Sequence, residues 1–336
     1  MARWAIIGSG LAGVTLASRL SPRHEVVMFE KSHGIAGRMS TRRRSVGGQD
    51  FAFDHGAQYF TIKGSAFQEA MQPYRDQGVV QPWAARMITI DGADIENDAS
   101  AAHPGQDHQP PSDLFVACPS MTGLVKAMAE GLEVHHQIEI KQLDRGDNGW
   151  QLTDQQGQVY GGFDGVVTAI PAPQAMALLP MAAADLAPVK MLGCFTLMLG
   201  FEHDQALPSA WQAARVENSP IGFIAVNSSK PDRNSGASLV VQANNDWADP
   251  RVDDDPQAID VILRDELRRL TGIDADKACL SSFHRWRYGA TRTPLGQAFW
   301  QSPSGDLAAI GDWCIKGRVE AAFESGRALA EAILND

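Results

Sequence analysis

Cysteine is scarce in this 336-residue chain. Cys118, Cys194, Cys279 and Cys314 are scattered and form no C-x-x-C pair, which argues against a disulfide framework and a thiolate zinc site; buried, reduced thiols are expected. Basic charge is also short: 29 Lys and Arg face 40 Asp and Glu, a net charge of −11 that argues against a phosphate-neutralising surface for nucleic acid. No apolar run approaches the roughly 20 residues of a membrane span. The N-terminal apolar run is interrupted by Gly8 and Gly10 and lacks a cleavage site for a signal peptide, so a cytoplasmic protein is expected. No G-x-S-x-G elbow or Walker A lysine occurs. His135 and His136 are adjacent and would point to opposite faces of a strand, and Asp253, Asp254 and Asp255 lack the spacing of a calcium loop and lead toward a helix near Pro256. No metal is expected. The one dense basic patch, Arg42 to Arg44, is either phosphate-facing or a solvated loop.

At 44% hydrophobic composition the chain can bury one large core or two interleaved ones. Residues 4–7 predict a strand, VTLASRL a helix and HEVVMFE a second strand, a β-turn-α-β unit within thirty residues. Residues 91–113, with Pro104, Pro110 and Pro111, predict a flexible excursion, and Ser120 is a candidate cap for the helix MTGLVKAMAEGL. EVHHQIEIKQLDR, GWQLTDQQG and QVYGGFDGVVTAI read as strands. Farther on, MLGCFTLMLGF, GFIAVN and SLVVQANN read as strands and DPQAIDVILRDELRRLTG as an amphipathic helix. The end predicts a strand, a turn and a long helix.

Gly8, Gly10 and Gly13 form G-x-G-x-x-G between that first strand and helix. The first glycine permits the tight turn, the second lets a pyrophosphate approach, and the third lets helix and strand pack, with Ser9, Leu11 and Ala12 completing the loop. Glu30 ends the second strand where a carboxylate would accept hydrogen bonds from an adenosine ribose, with Lys31 beside it.

The combination GSGLAG, FEK, GRM (Gly37, Arg38, Met39) and DHGAQYF (Asp54 to Phe60) resembles the amine-oxidase-like flavoenzymes, and within them the renalases. The resemblance implies an α/β fold with a Rossmann-like FAD-binding domain of the two-dinucleotide-binding-domain type and an interleaved α+β substrate domain. The FAD-binding segments would be 1–62, 112–182 and 280–336, and the substrate segments 63–111 and 183–279. It implies that Gly37, Arg38 and Met39 continue the pyrophosphate site and that Gly56, Ala57, Gln58, Tyr59 and Phe60 pass beside the isoalloxazine. AAIGDWCIKGRVEAAFESG resembles the closing flavin motif, with Gly311 and Asp312 at the ribityl chain and the amides of Val319 and Glu320 at the pyrimidine ring. Ile138 would contact the adenine, and Thr168 and Ala169 would lie under the flavin.

HRWRYGATRTPLG resembles a renalase stretch that walls the substrate cavity, so Gln58, Tyr59, Gln242, Trp286, Arg287 and Tyr288 are the pocket candidates, with Arg287 a partner for phosphate or carboxamide. SLVVQANN resembles a substrate-domain strand of renalases, and Gln242 stands where that resemblance implies a histidine in an animal relative. Monoamine oxidases of the family this chain resembles tether their flavin through a cysteine near this C-terminal region, and Trp286 to Gly296 contains none, so the resemblance implies non-covalent FAD. The implied activity is oxidation of 2- or 6-dihydro isomers of NAD(P)H to NAD(P)+, with dioxygen reduced to hydrogen peroxide. A flavin-dependent amine oxidase is the alternative, and a non-catalytic flavin-binding protein a third reading. No catalytic dyad is evident, as expected where the flavin carries the chemistry. The partners implied are small molecules, without nucleic acid or membrane; the oligomeric state is left open.

Overall fold

The computed structural model describes residues 1–93, 114–202, 207–233 and 236–335. The proline-bearing excursion at Pro104, Pro110 and Pro111 lies outside the described residues. The first strand, Arg3–Ile7, is buried along nearly its whole length, as suits the middle of a parallel sheet covered on both faces. It is flanked by Glu25–Glu30 and Gly165–Thr168, and the sheet extends to Glu133–His136 on one side and to Leu307–Ala309 and the antiparallel Trp300–Gln301 on the other. Helix Leu11–Leu20 covers one face together with the C-terminal helix Val319–Asn335. A Cβ at Gly326 would stand 2.4 Å from the Ala12 carbonyl oxygen, so glycine there sets how closely these two helices approach.

The segments predicted as continuous strands after Glu133 divide between two sheets. Glu133–His136 joins the parallel sheet, Gln137 turns the chain with φ 61°, and Ile140–Gly146 begins a three-stranded antiparallel sheet with Gly149–Asp154 and Val159–Phe163. Gly165–Thr168 then returns to the parallel sheet. Apolar alternation marks both pieces as strands but carries no sign of which sheet each joins. Ser120 caps nothing: helix Thr122–Met128 has Met121 at its N-cap, and the Ser120 hydroxyl instead accepts from Arg43 at 3.0 Å.

A second six-stranded sheet runs Leu280–Thr293, Lys190–Phe201, Ala237–Ala243, Ile221–Val226, Ala213–Glu217, Met87–Asp91. Phe195, Leu197 and Leu199 pack with Ile259, Leu263 and Leu267 of helix Pro256–Thr271, which Asp255 caps and Gly272 terminates at φ 72°. The alternate residues face the opposite way. There Met198 and Val240 meet Phe51 and Phe53 of the hairpin Thr41–Val46 and Gln49–Asp54. Strand Leu280–Thr293, grouped from sequence with the nucleotide-binding segments, is hydrogen-bonded to Lys190–Phe201 across this sheet. A long strand beside a C-terminal motif does not reveal its pairing partner. No described helix is long and apolar enough to cross a membrane.

Candidate functional site

The glycines of the first turn have separable roles. Gly8 has φ 105°, and a Cβ there would meet the Ala169 carbonyl oxygen at 2.6 Å; a Cβ on Gly13 would lie 2.2 Å from the Gly8 carbonyl oxygen. Gly10 would meet nothing within 4 Å, because it faces a large cavity. The Ser9 amide and hydroxyl donate to Glu30 Oε2 at 3.0 and 2.8 Å, and the Ser32 amide donates to Oε1 at 2.9 Å. Ser9 is thus a buried brace behind the loop. Glu30 reaches the cavity wall beside Lys31 with room on its carboxylate for one more donor, as a ribose hydroxyl would supply.

The GRM turn and the GAQYF segment are stitched together. The Ala57 amide donates to the Arg38 carbonyl at 2.8 Å, and a Cβ at Gly56 would stand 2.0 Å from that same oxygen. Arg38 grips Asp312 through both terminal nitrogens, joining residues 274 positions apart. The Gly311 amide donates to Ser325 Oγ at 3.0 Å, and the Glu320 carboxylate accepts from the amides of Gly64 and Lys63 at 2.6 and 3.2 Å. Phe60 is held against Phe115 by paired backbone hydrogen bonds, and Met39 is buried.

These parts line one cavity of about 1960 Å³ that runs from Glu30 and Lys31, past Gly10, Leu11, Ala12 and Gly37 to Met39, to Ala57, Phe60, Gly311, Asp312, Val319 and Glu320. Two helix N-termini, at Leu11 and Val319, open onto it, favourable for phosphate and for negative charge on a reduced ring. A dinucleotide-sized, elongated cavity with an open glycine face fits FAD.

Not every expected residue is on that wall. Thr168 is fully buried and its hydroxyl is directed to the Ala308 carbonyl at 3.4 Å; only Ala169 of that pair reaches the cavity. Ile138 reaches the wall, but its amide is committed to the Glu30 carbonyl at 3.0 Å, leaving side chain and carbonyl for a ligand.

The pocket candidates also lie along this cavity, in unequal roles. The Gln58 amide nitrogen donates to the carbonyls of Asp54 and Gly56, and its oxygen accepts from Lys230 at 3.2 Å, so its side chain braces the loop rather than reaching toward a substrate. The Gln242 amide donates to the Gly56 carbonyl at 2.7 Å, Trp286 Nε1 donates to the His55 carbonyl at 2.9 Å, and the Tyr59 hydroxyl accepts from Arg215 at 2.9 Å. Tyr288 lies on the same side of its strand as Trp286. Arg287 alternates to the exposed side and pairs with Asp253 at 2.6 Å, so its charge is already answered at the rim. Strand alternation, legible in HRWRYG, separates Arg287 from its neighbours.

Several residues escaped the sequence reading. Asp54 is fully buried between Lys230 Nζ at 3.1 Å and Arg233 Nη2 at 2.8 Å, and accepts from Thr41 Oγ1 at 2.6 Å. Burial alone would raise the Asp54 carboxyl, but the two cations hold it far below the usual range; burial also lowers Lys230 to about 8. Facing the cavity, His55, His284 and Trp286 form a ring cluster with centroids 4.4 to 5.0 Å apart. Burial, then neighbouring positive charge, lowers His55 to about 3 and His284 to about 4. Arg42 Nη2 lies 3.1 Å from His284 Nδ1. The basic patch is therefore a hairpin strand rather than a loop, with Arg42 and Arg43 on the cavity wall. Nothing local links Lys230 or His284 to the DHGAQYF motif. Only the H in that motif hinted at His55.

Among the described residues no group of three or more His, Cys, Asp or Glu is placed to hold a metal. All four cysteines are free thiols, three buried and Cys279 half-buried.

A sequence profile for flavin-containing amine oxidoreductases matches residues 90–334, and one for NAD(P)-binding Rossmann-like domains matches residues 6–76. The chain is similar in fold to a solved structure provisionally assigned as a protoporphyrinogen oxidase from Exiguobacterium sp. 255-15, with TM-score 0.76, 13% identity, and coverage of 100% of this chain and 99% of that one. It is similarly close to putrescine oxidase: a wild-type structure bound to putrescine (TM-score 0.72, 12% identity, 100% and 99% covered) and a cofactor-binding triple mutant (TM-score 0.73, 12% identity, 99% and 99% covered).

Proposed function

Because the chain belongs to the flavin-containing amine oxidoreductase family and is an FAD-dependent oxidoreductase, we propose that it oxidises 2- or 6-dihydro isomers of NAD(P)H, in the manner of a renalase. The supporting observation is the charge of the substrate end of the cavity. Arg42 and Arg215 line it with no carboxylate within ion-pair distance among the described residues. The carboxylates on that part of the wall are Glu217 and Asp246, and Asp246 is engaged by Arg292. In a chain of net charge −11 this local cationic surplus favours an anionic substrate, such as a pyrophosphate-bearing dinucleotide, over a polyamine cation.

FAD, when bound, supplies the acceptor for a hydride from the substrate carbon and passes the electrons to dioxygen, releasing hydrogen peroxide. The chain's own contribution is placement. Gly8 to Gly13 and Glu30 would hold the adenosine diphosphate half, Arg38 with Asp312 and the amides at Val319 and Glu320 would hold the flavin half, and Tyr59, Gln242, Trp286 and Tyr288 would confine the substrate ring. The neutral imidazoles of His55 and His284 are poor bases, consistent with a reaction that leaves a pyridinium and demands no proton acceptor. Non-covalent FAD suits the thiols: Cys194, on the cavity wall, and Cys314 are pushed up to about 12 by burial, which keeps them inert.

An amine oxidase is the second reading, favoured by the aromatic wall of Tyr59 and Trp286, whose ring faces would attract a substrate ammonium group. Anaerobic stopped-flow mixing with the dihydro isomers, ordinary NADH and a panel of amines separates the two. Rapid flavin bleaching by the dihydro isomers and not by amines is expected; bleaching by an amine alone would overturn the proposal.

A further inference from the structure

His284 sits on strand Leu280–Thr293 in the row that faces the cavity, with Trp286 and Tyr288 following at alternate positions. Its surroundings dictate its chemical form. The Arg42 guanidinium can only donate, so at 3.1 Å it makes His284 Nδ1 an acceptor. A neutral imidazole whose Nδ1 accepts carries its proton on Nε2. Burial and the Arg42 charge keep the ring neutral, with its pKa lowered to about 4. His284 Nε2 has no hydrogen-bond partner among the described residues, and the ring is clamped between His55 and Trp286, at 4.9 and 4.4 Å between centroids. Trp286 is in turn tied to the His55 carbonyl. The cavity wall therefore carries a rigid, uncharged ring with one N–H free beside the flavin-facing segment.

We propose that His284 is a specificity-determining residue whose Nε2–H donates to an acceptor oxygen on the substrate ring, and that Arg42 is a positioning residue that holds the tautomer. This rests on the dihydronicotinamide reading, in which the acceptor is the ring's carboxamide oxygen. A simple amine has no such oxygen, so the donor would discriminate against it. Arg42 acts on the substrate only through His284, by its hydrogen bond to Nδ1, which denies that nitrogen a proton. The titratable and charged groups that bear on His284 are Arg42 from the hairpin and His55, which follows it; Arg44 lies beside Arg42, and Asp54, at the end of the hairpin, beside His55.

The test uses the FAD-loaded protein, NAD+ as the probe of binding (followed by perturbation of the flavin absorbance), and the dihydro isomers as the probe of bleaching. His284→Phe keeps the ring packing and removes the N–H. It is expected to weaken NAD+ binding about ten-fold, the scale of one neutral hydrogen bond, with FAD content unchanged. His284→Gln, which restores an N–H donor, is expected to recover part of the loss. Arg42→Met is expected to let the neutral ring carry its proton on Nδ1, which weakens NAD+ binding at neutral pH, and to raise the His284 pKa above about 4, measured by NMR, with burial still holding it down; protonation puts the proton back on Nε2, so part of the binding returns as pH falls. The wild type is expected to be flat there. Wild-type bleaching by dihydro isomers with unaltered NAD+ binding in His284→Phe would overturn this inference alone. Bleaching of the wild type by amines only would overturn the substrate reading and this inference with it.

Discussion

Gly10 and Gly13 stand three positions apart in one loop and answer to different constraints. Gly10 borders open space, and Gly13 lies against backbone. Gly10→Ala is expected to leave the apoprotein's melting temperature unchanged while weakening FAD binding at least ten-fold, because the methyl group occupies the cofactor's approach. Gly13→Ala is expected to lower the melting temperature even without FAD, since helix and strand must separate. Paired FAD titrations and thermal melts check both. Asp54 is the single buried carboxylate between Lys230 and Arg233. Asp54→Asn would leave two buried cations unanswered, a loss of roughly 3 to 5 kcal/mol by chemical denaturation. The histidines set an acid limb. His55 and His284 are neutral in the fold down to about 3 and about 4 but protonate near 6.5 once unfolded. The unfolded state therefore binds more protons between those values. Stability is full above about 6.5 and falls as pH drops toward 3. Denaturation midpoints across that range should flatten in His284→Phe.

At the scale of elements, the strand pair Lys190–Phe201 and Leu280–Thr293 orients the cavity wall. Its register shifts between Leu192 and Cys194, opposite the Trp286–Ala290 stretch, and Gly289 permits the shift because a Cβ there would stand 2.8 Å from Cys194 Cβ. Gly289→Ala is expected to push the strands apart locally and displace Trp286 and Tyr288. The result would be a raised KM with FAD retained, checked by steady-state kinetics on the loaded enzyme. On the other face of that sheet, helix Pro256–Thr271 buries Ile259, Leu263, Leu267 and Leu270 and touches nothing in the cavity. Changes there act on stability alone.

For the whole molecule, the cofactor site is assembled from the two ends of the chain and from the hairpin between the sheets. Arg38 and Asp312 close that assembly across 274 residues. FAD touching both ends would stabilise the folded state by mass action, by about 2.7 kcal/mol at a hundred times its Kd. The melting temperature is expected to rise with added FAD, and Arg38→Ala should reduce that rise while the apoprotein remains folded; equal shifts in both proteins would remove Arg38 from the site.

The cavity-lining glycines and carboxylates proposed to hold FAD were legible in the chain because each motif is local. A glycine that admits a phosphate or turns the backbone does so through its immediate neighbours, and a carboxylate ending the second strand is placed by strand and helix lengths alone. The sequence by itself thus determined the nucleotide-binding unit, the family and the row HRWRYG. What only the tertiary structure decided is which groups meet across distance: Arg38 with Asp312, Asp54 with Lys230 and Arg233, and Arg42 with His284. It also removed Thr168 and the Gln58 side chain from the ligand's reach and turned Arg287 outward to Asp253. Those outcomes depend on sheet registry and burial, which arise only when segments hundreds of residues apart pack together, and no local pattern encodes the partner each strand will find.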